Sequence, residues 1–177
     1  MSAAQRELAA VRAQDRADRN FSPLDLDKLT KSQYDSLEAA VSARDAARRV
    51  RVRELMTQKA ARTAADYENA AVVLQHGNDP ADYLLAHGWA GVAIGLDDKA
   101  PGPRYLFAAT WDRFMASQDR PQWYGTNVNR LADGFAELHP VDTLRVSDVE
   151  RKRLTGWTLQ ERRASVEQLN AQMRPRK

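Results

Sequence analysis

Two of the three histidines of this chain, His76 and His87, fall within QHGNDPADYLLAH, Gln75 to His87, where Asp79 and Asp82 lie between them. WDRF at 111–114 and PQWYGTN at 121–127 follow downstream, so imidazoles, carboxylates and a polar-aromatic loop gather in one part of an otherwise alanine-rich sequence. An imidazole titrates near neutral pH, and a carboxylate can orient it, so His76 with Asp112 or Asp79 could serve as an acid/base pair. The same residue types suit a two-His, one-carboxylate site for zinc or non-haem iron, although no HExxH-type spacing is present. A third reading has both histidines satisfied by backbone carbonyls or carboxylates. The residues alone leave all three open.

The downstream loop adds hydrogen-bonding groups without charge. Gln122, Tyr124, Thr126 and Asn127 surround Gly125, which supplies a turn. Such a set can orient a substrate, or it can staple the loop to helix ends through its own amides. Asp112 and Arg113 are adjacent on a helix and point about 100° apart, so Arg113 is expected to pair with a neighbouring helix. No serine or cysteine stands in a nucleophile elbow, and no glycine-rich phosphate loop occurs.

These residues need helices to position them. Residues 2–19 read as a first helix whose only large apolar groups are Leu8 and Val11, so it should pack marginally. A connector follows, with Phe21, Leu24, Leu26 and Leu29 expected to dock on the core. Ser32 is the expected cap of a long helix to about Ala60, whose arginines read as a solvated face. Thr63 with Asp66 resembles a capping box for a helix to His76, and Gly77 suits a left-handed residue after it. Asp79 and Pro80 then start a helix to about Leu96. The turn between the two is very short, so they form an antiparallel hairpin with the two imidazoles within about 10–12 Å. Gly88, Gly91 and Gly95 line one side of the second helix, a pattern that predicts close helix packing. Tyr105 to Ser117 is the next helix, LADGFAEL a short helix-compatible stretch, and HPVDTLRV extended or a turn. Ser147, and Thr158 with Glu161, cap the last two helices, and the RPRK tail at 174–177 reads as disordered.

Composition bounds the class. The chain has 177 residues and no cysteine, which rules out disulfides and thiolate metal sites. The length suits a single domain. Its net charge of +3 divides as +4 over residues 1–62, −7 over 63–150 and +6 over 151–177. The pI of about 9.3 would suggest nucleic acid, but the segment with the unusual residues has the wrong sign for a phosphate backbone. No apolar run is long enough to span a membrane. The N-terminus lacks the apolar centre of a signal peptide, which points to the cytoplasm; a mature exported form would look the same.

YENAAVVLQHGNDPADYLLAH followed by ATWDRFMASQDRPQWYGTN resembles an uncharacterised bacterial family, the domain of unknown function numbered 6624, over roughly residues 63–160. The family's Gln-His, Asp-Arg and Gln-x-Tyr-Gly-Thr motifs correspond to Gln75 and His76, Asp112 and Arg113, and Gln122, Tyr124, Gly125 and Thr126. The chain departs from that pattern at Asn127, where the family has glutamine, and at Gly77-Asn78-Asp79, which replaces an acidic-histidine cluster. The resemblance implies a shared pocket built from His76, Asp112, Gln122 and Tyr124, with no settled activity attached.

The combined expectation is an all-α, single-domain bundle of six or seven helices around the hairpin. Within it, residues 1–62 form an N-terminal extension and 63–173 the core. His76, Asp112 and Tyr124 are the expected catalytic group, and Gln75, His87, Arg113, Gln122, Thr126 and Asn127 the substrate-binding one. The pocket would hydrolyse or bind a small polar ligand, a cation suiting the acidic surroundings, with a divalent metal as an open option. The alternative is a non-enzymatic helical module for a protein or peptide partner. Nucleic acid ranks last as a partner.

Overall fold

A computed structural model describes residues 1–20, 28–131 and 134–173. Its element order is α1 (Ala3–Ala17), α2 (Lys31–Thr57), α3 (Ala64–Leu74), α4 (Pro80–Leu96), α5 (Pro101–Ser117), β1 (Val128–Arg130), β2 (Ala136–Leu138), α6 (Asp148–Thr155) and α7 (Leu159–Met173). The chain is mostly helical, with seven helices and one two-stranded sheet among the described residues. Phe21, Leu24, Leu26 and the tail at 174–177 lie outside the described residues, and Leu29 is half-buried. None of the described helices is long and apolar enough to cross a membrane.

Local capping sets most helix starts. Reciprocal capping boxes begin α1 at Ser2 with Gln5, α3 at Thr63 with Asp66, and α6 at Ser147 with Glu150. Each satisfies backbone N–H groups that a helix start otherwise leaves unpaired. The cap of α2 is Thr30 rather than Ser32, because Gln33 stands three residues on and closes the box with it. Asp79 accepts from the Ala81 N–H to start α4, with Pro80 in its first turn. Gly77 does not take the expected left-handed conformation. It is needed for room, since a Cβ there would overlap the Asp82 carboxylate.

The hairpin of α3 and α4 is the centre of the fold, and α4 also packs along α5. Its glycines do not make the close approach. Gly91 alone of the stripe nears another helix, with a Phe107 ring carbon 3.5 Å from where its Cβ would stand, while Gly88 and Gly95 face open space. The tight packing comes instead from Ala86 and Ala90, fully buried in one cluster with Ala70, Ala71 and Leu74.

That cluster also holds Leu8, Val11, Val52 and Leu55, so α1 and α2 share a core with the hairpin. Helix α1 is therefore not marginal. Its two apolar groups are reinforced by Asp15, a fully buried carboxylate bonded to Arg12, Arg19 and His76. The basic run of α2 is likewise no solvated face. Arg48 is buried between Asp18 and Asp45, Arg49 and Arg53 both reach Asp82, and Arg51 bridges Glu7 and Glu54. These pairs fix α1 and α4 against α2, and removing one partner of a buried pair typically costs about 3–5 kcal/mol. Further along, the described part of LADGFAEL holds no helix: Ala136–Leu138 pairs antiparallel with Val128–Arg130.

The network has a pH signature. Hydrogen bonds from Arg44 lower the Asp18 carboxyl to about 2, with Arg48 assisting against partial burial. Burial would raise Asp45, but hydrogen bonds from Arg19 and Arg48 outweigh it and leave it lowered. A carboxylate lowered by folding stabilises the fold above its unfolded value and stops doing so below its folded one. Stability should therefore hold down to about pH 4 and fall steeply between about pH 4 and 2. Chemical denaturation followed across that range checks this, and a fall complete by pH 5 would contradict it.

Candidate functional site

The loop after α5 hangs from one buried carboxylate. Asp112 is fully buried, and its Oδ1 accepts the backbone N–H of Trp123 at 2.7 Å and of Tyr124 at 2.9 Å. Its Oδ2 accepts the Thr126 N–H at 2.9 Å and the Thr126 hydroxyl at 2.8 Å. Burial pushes this carboxyl up from its ordinary value, and the four donors oppose that rise. All four groups donate, which suits an ionised acceptor.

A second buried side chain closes the loop from the other end. Gln122 donates its amide to the carbonyls of Asn127 and His139 and accepts the Asn127 N–H at 2.8 Å. Gly125 turns the chain with a φ of +79°, and its carbonyl accepts from Arg162. Arg151, which sequence reasoning did not single out, is buried and donates to the Trp123 and Asp142 carbonyls. Of the two readings of this loop, the stapled one describes Asp112 and Gln122. Tyr124 is buried as well, and desolvation with the nearby Asp112 charge raises its phenol above the ordinary value.

The histidines sit elsewhere. His76 Nδ1 lies 2.9 Å from Asp15 Oδ1, a contact between the turn after α3 and α1 that no spacing rule revealed because the residues are 61 apart. Its ring borders an open cleft with Arg19, Arg49, Asp45 and Tyr34. His87 packs on Phe107 and Trp111 at centroid distances of 3.8 and 5.2 Å, and its Nδ1 stands 2.9 Å from the Phe107 carbonyl oxygen. Burial pushes its imidazole below the ordinary value, so the neutral ring donates Nδ1–H to that carbonyl. Gln75 is the half-buried C-cap of α3 and joins neither histidine contact. The two imidazoles thus share no described partner or cleft. No three His, Asp or Glu side chains gather to hold a metal ion among the described residues.

Three of the expected binding residues do converge. Arg113, Thr126 and Asn127 line an open cleft of about 460 Å³, together with Tyr83, Ser117 and Asn129. None of the lining residues is acidic. The Tyr83 hydroxyl donates to the Gly77 carbonyl, which ties this wall to the hairpin turn. Arg113 contradicts the expected ion pair. It is half-buried, its Nε is buried without a partner, and it forms no ion pair among the described residues. Every other buried or half-buried arginine among the described residues has a carboxylate or carbonyl partner.

No protein-family model, curated protein or solved structure matches this chain.

The clamp makes a testable demand. Asp112→Asn keeps the shape but turns one acceptor into a donor facing donors. It should destabilise the protein by about 2–4 kcal/mol in urea unfolding, mainly through unsatisfied groups in the loop. A change below about 0.5 kcal/mol would show that the loop does not depend on this carboxylate.

Proposed function

We propose that this protein is a non-catalytic helical module that binds a small ligand bearing a carboxylate or phosphate in the cleft beside Arg113. The observation that carries the reading is that Arg113, alone of the half-buried arginines among the described residues, has neither a carboxylate nor a carbonyl partner, and that it borders a cleft free of carboxylates. Its Nε–H is withdrawn from water and unpaired, which is unfavourable, and an oxyanion beside the guanidinium is the partner such donors take. Thr126, Asn127, Asn129 and Ser117 add neutral groups that can set a ligand's orientation.

The sign of the ligand follows from the lining rather than from the acidic middle of the sequence. Three buried carboxylates of that segment are engaged locally: Asp112 with the loop, Asp82 with α2 arginines, Asp66 at a helix start. A cationic ligand would meet Arg113 and no counter-charge. Binding is preferred to hydrolysis because the residues nominated for proton transfer are engaged in packing contacts, His76 with Asp15 and Asp112 with the loop. The likeness to the domain of unknown function numbered 6624 belongs to this proposal too, since its Asp-Arg and Gln-x-Tyr-Gly-Thr motifs are the segments that build the cleft. The alternative, a protein-interaction module, draws on a separate feature, the uncharged outer face of α4.

Isothermal calorimetry of the full chain against inorganic phosphate and small carboxylates tests the reading. Binding should occur with an oxyanion and weaken at least about tenfold in Arg113→Gln, which keeps hydrogen bonding but removes the charge. Equal affinity in the variant, or preference for amines, would overturn it.

A further inference from the structure

The two edges of the small sheet differ. Asn127 is hydrogen-bonded to His139 and Leu131 to Phe135, so in the antiparallel alternation Val128 and Arg130 turn their N–H and C=O groups away from β2. Ala136, opposite Arg130, turns its own groups away from β1, and there Asn170 of α7 takes both. The Asn170 Oδ1 accepts the Ala136 N–H at 2.7 Å, and its Nδ2 donates to the Ala136 carbonyl at 2.8 Å. The β2 edge is thus closed by a side-chain amide. The β1 edge is open: among the described residues, the outward N–H and C=O groups of Val128 and Arg130 have no hydrogen-bond partner.

An edge with unpaired backbone groups is a template for another strand. The surroundings of this one say which strand. Residues 126–129 line the Arg113 cleft in unbroken succession, whereas one face of a strand would contribute every second residue. The cleft therefore meets β1 along its edge. Two residues before Val128, the Thr126 N–H is taken by Asp112, which sets this end of β1 beside Arg113. Across the cleft stand Ala116 and Ser117 of α5, both small.

We propose that the ligand of this cleft is the C-terminal end of an extended peptide, added antiparallel to β1 with its terminal carboxylate on Arg113. This rests on the oxyanion reading of Arg113 and names the molecule that carries the oxyanion. Direction follows from charge. A strand antiparallel to β1 runs from Arg130 toward Val128 and ends on the Arg113 side, carboxylate foremost. A parallel strand would bring its terminal ammonium to the guanidinium instead. Val128 and Arg130 each exchange two hydrogen bonds with alternate peptide residues, so about three residues span the edge at roughly 3.3 Å each. The groups recognised are main-chain amides and a terminal carboxylate, which makes peptide sequence secondary.

Titration of the full chain with acetyl-Thr-Val-Thr-Val, its C-terminal amide, acetate and inorganic phosphate tests this, read by calorimetry and by amide hydrogen exchange. The free-acid peptide should bind at least about tenfold tighter than either acetate or the peptide amide. It should also slow exchange at the Val128 and Arg130 amides, which acetate leaves unchanged. N-methylation at successive peptide bonds should weaken binding at every second position and spare the others, the mark of a strand paired along one edge. A peptide that binds no tighter than acetate, or binds without protecting Val128 and Arg130, would overturn the inference and leave the oxyanion reading in place. An amide that binds as well as the free acid would overturn it too, by removing the carboxylate from recognition. Absence of binding by acetate, phosphate and peptide alike would overturn both readings.

Discussion

The carboxylate of Asp112 decides which residues of this fold meet solvent. By accepting four hydrogen bonds from residues 123–126, it holds the loop against α5 in one conformation. The next residue on a helix points about 100° away, so an inward Asp112 directs Arg113 toward the edge of the helix. The same clamp brings Thr126 and Asn127 to that edge. Adjacent residues therefore play opposite parts. One is spent on architecture, and the other is left with a charge and no partner.

The N-terminal half obeys a related constraint. Asp15 and Asp18 stand at the C-terminal end of α1, where the helix dipole disfavours negative charge. Arginines from α1 and α2 offset this, and His76 of the hairpin joins the same cluster through Asp15. An arginine-rich helix and a marginal amphipathic one thereby become parts of a single core. The arrangement also explains why a pI above 9 carries no free basic stripe on α2: Arg44, Arg48, Arg49, Arg51 and Arg53 all have carboxylate partners.

Much of the fold was legible in the sequence because its signals are local. Capping pairs such as Thr63 with Asp66 and Thr158 with Glu161 act over three residues, and the short turn at Gly77–Asp79 leaves an antiparallel hairpin as the available geometry. What escaped is non-local. Nothing in the spacing of Asp15 and His76 announces their contact, and Gly88, Gly91 and Gly95 look alike until the neighbouring helix is seen to pass only Gly91. The short strands were hidden because three-residue segments carry too little alternation to read. For the site, Asp112 and Gln122, expected to act on or bind a ligand, hold the loop together, while Arg113, read as a structural ion pair and also as a binding residue, forms no ion pair among the described residues and lines the cleft with Thr126 and Asn127.

The central claim is that the Arg113 guanidinium awaits an oxyanion. Its most direct test is nuclear magnetic resonance of the arginine Nε–H groups during titration with inorganic phosphate and small carboxylates. The Arg113 signal, together with the backbone amides of Thr126, Asn127 and Asn129, should shift saturably and ahead of every other arginine. Saturable shifts confined to the His76, Arg19 and Arg49 cleft, or no saturable shift at millimolar ligand, would contradict the account.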